Sequence, residues 1–136
     1  MFENINWLAV LVSTLIWFVL GAVWYAVLFG KAFDKALAFN ENQKQKAQKN
    51  FARNLGIHFI SGFLISLMMA HLMALFENPT AMDGIHTGFG IWMGFALPLA
   101  WIMLVFEQRP GATFWVNIGN WLVGFVLIAL VLAVWR

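Results

Sequence analysis

The sequence predicts an all-α membrane protein, built as a bundle of four transmembrane helices. Of its 136 residues, 62% are hydrophobic and 10% are charged, whereas soluble domains are about half apolar and a quarter charged. Four apolar stretches each reach the roughly 20 residues that a helix needs to cross about 30 Å of hydrocarbon. They are continuously apolar and lack the alternation of a membrane β-barrel, so helices are favoured over a barrel.

The spans are predicted at residues 5–28, 55–76, 85–106 and 114–135, within one domain that covers residues 1–136. The long connection at residues 29–54 is rich in lysine and ends near Arg53, so the positive-inside rule predicts that it is cytoplasmic. The connection between the second and third spans contains Glu77 and Asp83 but no Lys or Arg. Four spans then place both termini outside.

A short amphipathic helix is predicted after the first span, in the stretch KAFDKALAF. Phe33, Ala36 and Leu37 share one helical face there, which fits a helix lying on the membrane surface. The lysines of the same loop favour anionic head groups, so membrane lipids are expected partners. Ordinary topogenic charge explains the same lysines. A formal net charge of +2 does not indicate nucleic-acid binding.

The first span carries large aromatic side chains and one glycine on a single face. Trp17, Gly21 and Tyr25 follow one another at four-residue steps. Such a face packs against protein or holds a lipid-like molecule. Trp17 is the member of this set that an aromatic belt at the membrane interface does not explain, because it lies at mid-depth.

Histidines in and near the second span could bond to other helices, titrate or bind a metal. His58 is expected near the cytoplasmic end of that span and His71 near its outer end, close to His86 of the third span. His71 and His86 are weak metal-site candidates, with Glu77 and Asp83 nearby. No recognised ligand spacing such as HExxH is present, so neither a metal nor another cofactor is predicted.

The third span contains two successive patterns of small residues, GIHTG and GIWMG, followed by Pro98. Glycines allow helices to approach closely, and proline removes a main-chain hydrogen bond and bends a helix. The pattern indicates a tightly packed, kinked helix. The alternative is that the bend opens a pocket or pathway near mid-membrane.

The fourth span begins with a polar stripe formed by Asn117, Asn120 and Trp121. Amides in lipid need hydrogen-bond partners, so this stripe is expected to face the other helices or a second subunit. The stripe, Trp17, Gly21, Tyr25, His58 and Pro98 together form the candidate set for a ligand, lipid or pathway site.

The stretch FEQRPGATFW is predicted to be a cytoplasmic turn between the third and fourth spans. Pro110 and Gly111 supply the reversal, and Thr113 is a candidate N-cap for the last helix. Glu107 and Arg109 form a charged pair that could bind each other, the basic residues near Arg53, or lipid phosphate.

Several short motifs resemble the DUF1761 family of small bacterial membrane proteins. They are INWLAVLV, GAVWYAVLFGKAF, the Asp83–Gly84 pair that opens the third span, FEQRP and VNIGN. The resemblance follows the order of nearly the whole chain and implies a multi-pass protein of a bacterial inner membrane. It implies little about biochemistry, because the family is named for its unknown function.

No residue pattern requires an enzyme, and no catalytic residue is assigned. Small drug antiporters use a carboxylate inside the membrane, and none lies well inside these spans. The leading hypothesis is a non-enzymatic membrane protein, homo-oligomeric, that packs its aromatic faces or binds a lipid or other hydrophobic molecule. The alternatives are a channel or transporter with a pathway between helices or subunits, and a membrane enzyme using His58, Glu107 and Arg109.

Overall fold

The computed structural model describes residues 3–135, which are mostly helical and contain no strand. The terminal residues, whose outside location the sequence predicts, lie outside this range. The helices are α1 (Trp7–Val23), α2 (Gly30–Leu37), α3 (Glu41–Lys49), α4 (Phe51–Ala74), α5 (Ala81–Ile91), α6 (Leu97–Phe106) and α7 (Gly111–Val134). Two π-helical turns, called π1 (Trp24–Leu28) and π2 (Trp92–Ala96), extend α1 and join α5 to α6.

Four helical segments are long and apolar enough to cross a membrane, which confirms the predicted four-span fold. They are Trp7–Leu28, Phe51–Ala74, Ala81–Phe106 and Gly111–Val134. The third span begins at Ala81, four residues before the apolar run predicted at 85–106. Thr80 and Asp83 form a reciprocal capping box at this start. Hydropathy marks where the lipid-facing surface begins, whereas the cap determines where the helix begins.

The fourth span also begins earlier than the sequence suggested, at Gly111 instead of Phe114. Pro110 occupies the N-cap position, and Thr113 lies inside the first turn. The Thr113 hydroxyl donates to the Pro110 carbonyl at 2.6 Å. The prediction that Thr113 is the N-cap of this helix is therefore wrong. Pro110 stands before the helix because its ring fixes φ without requiring an amide donor.

The segment after the first span forms two short helices, where one was expected. α2 ends at Ala38, whose left-handed backbone (φ 47°) breaks the helix. α3 then starts with a capping box between Asn40 and Gln43. α2 packs against α7, and the Phe33 ring meets Tyr25 with centroids 5.1 Å apart. That α2 lies on a membrane surface stays a prediction.

α7 is the centre of the bundle, because α1, α4, α5 and α6 all pack against it. Within the most apolar window of each span, 44% of the α7 residues are buried, against 11% in the third span. Neither α5 nor α6 packs extensively against α4. The second and third spans are therefore separated by a cleft whose floor is α7.

α1 and α4 are antiparallel and alternate large and small residues along one seam. A Cβ on Gly62 would lie 2.7 Å from the Trp17 ring, and the His58 ring lies against Gly21 one turn away. The same register brings the buried Ser13 level with the buried Ser66. At each level of this seam at least one of the two facing residues is small, so the two helices can approach closely.

The third span approaches α7 through the first of its two glycine patterns only. A Cβ on Gly84 or Gly88 would lie 2.6 Å from a main-chain oxygen of α7, that of Ala129 or Phe125 respectively. A Cβ on Gly90 or Gly94 would meet nothing within 4 Å. GIHTG is thus a helix-packing motif, whereas GIWMG borders open space.

Pro98 explains where the third span changes its helical period. Pro98 has no amide to donate to the carbonyl four residues earlier, and its ring would crowd that carbonyl. The chain takes a wider π turn immediately before it, in which the Leu97 amide donates to the Trp92 carbonyl. The predicted interruption by Pro98 therefore takes the form of a π-helical insertion.

Candidate functional site

Trp17 is buried at the meeting point of three spans. Its indole lies between Gly62 of α4 and Gly124 of α7, whose hypothetical Cβ atoms would lie 2.7 and 2.6 Å from ring carbons. The side chain is only 5% exposed, and its Nε1 has no hydrogen-bond partner among the described residues. Two glycines on different helices thus form the slot that holds one tryptophan.

Two further tryptophans attach the first and third spans to the main chain of α7. Trp24, the first residue of π1, donates its indole hydrogen to the Val116 carbonyl at 2.9 Å. Trp92, the first residue of π2, donates to the Ile118 carbonyl at 2.8 Å. Each π turn therefore begins with an indole that is fixed to the N-terminal half of α7.

Tyr25 connects the first span to the polar stripe of α7. Its hydroxyl donates to Oδ1 of Asn117 at 2.5 Å. Asn120 lies about one turn further along α7 and lines the same groove as Tyr25. Oδ1 of Asn120 is left buried without a partner among the described residues.

His58 lies one turn from Trp17 on the side of α4 that faces α1. Its imidazole is 6.2 Å from the Trp17 ring and 5.7 Å from the Phe18 ring, measured between centroids. The residue is half-buried, and its Nε2 has no partner that meets hydrogen-bond geometry. Ser61 follows on the same α4 face, also half-buried.

These side chains line a groove of about 540 Å³, called here the central groove. Its floor is α7, and its two walls are α4 and the third span. Among residues 3–135, no Asp, Glu, Lys or Arg lines it. The lining residues are Trp17, Tyr25, His58, Ser61, Ile65, Phe95, Ala96, Leu99, Ala100, Met103, Asn120, Trp121 and Phe125.

Two other grooves adjoin the central groove. The outer groove, about 660 Å³, continues the cleft between α4 and the third span and shares Phe95 with the central groove. The side groove, about 380 Å³, lies between α1 and α4 and shares Tyr25 and His58. His58 and Tyr25 thus border the central groove on one side, and Phe95 borders it on the other.

The structure brings most of the candidate residues together. Trp17, Tyr25, His58, Asn120 and Trp121 all line the central groove, although they come from three helices. Gly21 lines the side groove beneath His58, and Asn117 is joined to the group through Tyr25. Pro98 is exposed and lines none of these grooves.

Glu107 and Arg109 pair with each other across the turn. Nε of Arg109 donates to Oε2 of Glu107 at 2.5 Å, and each side chain is 48% exposed. The pair spans Gln108, whose left-handed backbone (φ 52°) reverses the chain. Of the partners considered for these two charges, the structure shows the one nearest in sequence: Glu107 and Arg109 bind each other.

His71 and His86 belong to no metal-binding cluster of three or more ligands among the described residues. Within residues 3–135, no three His, Cys, Asp or Glu side chains are placed to hold one ion. Asp83, which lies near His71 and His86 in sequence, instead accepts hydrogen bonds from the amide and hydroxyl of Thr80. Its carboxylate therefore serves to cap α5.

Sequence reasoning missed Gly62 and the wall that the third span contributes. Gly62 lies four residues after His58, so the helical period could have placed it on the α1-facing side. Phe95, Leu99 and Met103 also repeat at four-residue steps. They resemble ordinary lipid-facing residues, and only the separation of α4 from the third span makes them a groove wall.

Comparison with known proteins gives a family but no characterised relative. No curated protein and no solved structure matches the chain at significance. One family model matches residues 8–133, nearly the whole chain, and its description is a protein of unknown function. The expected family is thereby confirmed, and the chain belongs to the DUF1761 family.

Proposed function

We propose that this protein is a non-enzymatic membrane protein that binds a hydrophobic, lipid-like molecule in the central groove. The observation that supports this most is the cleft between α4 and the third span. Its central part, about 540 Å³, lies within the size range of about 300–1,000 Å³ that is usual for small-molecule sites. Its lining is mainly apolar, with a few convergent polar groups, as such sites require.

The position of the cleft favours a small molecule over a packed neighbouring helix. Trp17 and Asn120 line the groove, and each has a buried polar atom without a partner among the described residues, at a depth where lipid supplies no hydrogen bonds. A ligand with a polar group is suited to this environment, whereas an apolar helix face is not. The elongated cleft suits a chain-like ligand, because the outer groove continues the central groove past Phe95.

Native mass spectrometry of protein extracted in mild detergent tests this function. Ala96→Phe places a ring in the central groove, and Ala52→Phe adds the same ring at an exposed site outside it. We expect a retained hydrophobic molecule in the wild type and in Ala52→Phe, and its loss in Ala96→Phe. Equal occupancy in all three proteins, with equal thermal stability, would count against binding in this groove.

A transport function is the second candidate, supported by the meeting of two grooves at His58 and Tyr25. A molecule that displaced the His58 ring could pass between the side groove and the central groove. Flux of a hydrophobic dye across liposomes, compared between wild type and His58→Phe, separates transport from simple binding. Flux that depends on His58 would favour transport, and flux equal to that of protein-free liposomes would exclude it for that dye.

The proposal also includes the setting of the protein: a bacterial inner membrane, both termini outside, membrane lipids as partners and association of identical copies. The basic loop supports this orientation and an attraction to anionic lipids. The open surface at Gly94 supports association, since a second helix could approach there without a Cβ intervening. Native mass spectrometry measures the oligomeric state directly. A monomer at all protein concentrations would contradict the proposed association of identical copies.

A further inference from the structure

The polar side chains that line the central groove are hydroxyl, amide, indole and imidazole groups. His58 and Ser61 are half-buried on one face of α4, with Trp17 and Asn120 behind them. Tyr25 is already bonded to Asn117, so its hydrogen is not available to a ligand. No carboxylate, ammonium or guanidinium group lines the central, outer or side groove.

The absence of charged side chains determines which head groups the cleft can bind well. A charged group in the membrane interior needs an opposite charge or water, and its transfer otherwise costs several kcal/mol. A hydroxyl or carbonyl group needs only one or two hydrogen-bond partners. A serine hydroxyl and an imidazole supply both a donor and an acceptor for such a group.

The polar and apolar parts of the cleft are arranged in sequence along its length. His58 lies about 10 Å along α4 from its first residue, at 1.5 Å per residue. Beyond Phe95 the outer groove is lined by Leu72, Leu75, Phe76, Thr87, Gly90 and Ile91, in which Thr87 is the only polar side chain. The cleft is therefore polar beside the first half of α4 and apolar toward the end of α4.

We infer that the ligand is an uncharged amphiphile, with a hydroxyl or carbonyl head at His58 and Ser61 and an apolar chain running past Phe95 into the outer groove. This inference rests on the proposed binding function and specifies its ligand class. Fatty-acid anions, phospholipid head groups and cationic amphiphiles are excluded as preferred ligands of the cleft.

Competition for a photoreactive probe tests the head-group preference. The full-length protein in lipid nanodiscs is labelled with diazirine-bearing 1-dodecanol and challenged with 1-dodecanol, dodecane, dodecyl sulfonate or dodecyltrimethylammonium at equal membrane concentrations. We expect 1-dodecanol to compete at least about tenfold better than either ion, given the cost of burying an unpaired charge. It should also compete several-fold better than dodecane.

Two matched pairs of variants locate the head and the chain. Ser61→Ala should reduce the advantage of 1-dodecanol over dodecane, whereas Ser66→Ala, buried on the same helix outside the grooves, should not. Gly90→Leu fills the outer groove and should reduce competition by both 1-dodecanol and dodecane. Gly94→Leu lies outside that groove and should leave competition by both molecules unchanged.

The outcomes separate this inference from the function on which it rests. If the ions compete as well as 1-dodecanol, or dodecane does, the inferred ligand class is wrong while binding in the cleft stands. If nothing displaces the probe, the proposed binding function itself fails.

Discussion

The Trp17 indole packs directly against the Cα of Gly124, and a Cβ there would lie 2.6 Å from its Cζ3. This contact joins α1 to the central helix at mid-membrane. On the other side of the ring, Gly62 plays the same part for α4. Three of the four spans therefore meet around one aromatic side chain, and the central groove is built next to it.

Replacing either glycine of this slot should destabilise the bundle. In Gly124→Ala and Gly62→Ala the new methyl group overlaps the Trp17 ring, which cannot rotate because the opposite glycine confines it. Overpacking of this kind costs about 1–3 kcal/mol. Gly56→Ala is the matched control, since a Cβ there meets nothing within 4 Å and improves helix propensity. Unfolding in detergent measures the difference, and equal stabilities of the three variants would contradict the slot.

Gly88 and Gly94 should respond differently to the same substitution. In Gly88→Ala the new Cβ meets the main chain of α7, which can yield only if the helices separate. We expect the free energy of unfolding to fall by about 1–3 kcal/mol. Gly94→Ala adds a methyl group in open space and should leave the stability of a single chain unchanged. Thermal unfolding at low protein concentration, where association is minimal, makes the comparison.

The bond between Tyr25 and Asn117 should appear as a coupling energy. Tyr25→Phe removes the donor, Asn117→Leu removes the acceptor, and the double variant removes both. Hydrogen bonds between membrane helices contribute about 0.6–2 kcal/mol, so the double-mutant cycle should give a coupling in that range. Additive effects of the two substitutions would mean that the bond contributes nothing to stability.

Membrane orientation can be measured cleanly because the sequence contains no cysteine. Gln45→Cys and Ala112→Cys introduce exposed thiols on the side predicted to be cytoplasmic, and Asn78→Cys introduces one on the opposite side. In intact cells an impermeant maleimide should label position 78 only. After permeabilisation it should label all three positions. Labelling of position 45 in intact cells would reverse the proposed orientation.

Composition and periodicity predicted the four spans and much of the groove, because both depend on the apolar character and helical spacing of residues. Trp17, Tyr25, His58 and Asn120 were recognisable as aromatic or polar side chains inside apolar runs. Pro98 was grouped with them because its bend could open a pocket near mid-membrane. A bend does not specify which side of the helix faces a pocket, and Pro98 is exposed and lines none of the three grooves.

The remaining features depend on how the spans pack against one another. The two glycine patterns of the third span look alike in sequence, yet Gly84 and Gly88 contact α7 while Gly90 and Gly94 do not. The cleft exists because the third span packs on α7 and leaves the neighbouring side of α4 without a helix against it. The sequence of one helix alone does not predict which of the other helices it will pack against.

The most direct test of the central claim is to map where diazirine-bearing 1-dodecanol attaches to the protein in nanodiscs, by peptide mass spectrometry. The account predicts attachment concentrated at groove residues such as Phe95 and Met103, and its suppression by excess unlabelled 1-dodecanol. Leu11, Leu15 and Val19, exposed on α1 outside the grooves, provide the background for lipid-facing surface. Attachment spread evenly over both sets, unaffected by competitor, would contradict a binding site in the cleft.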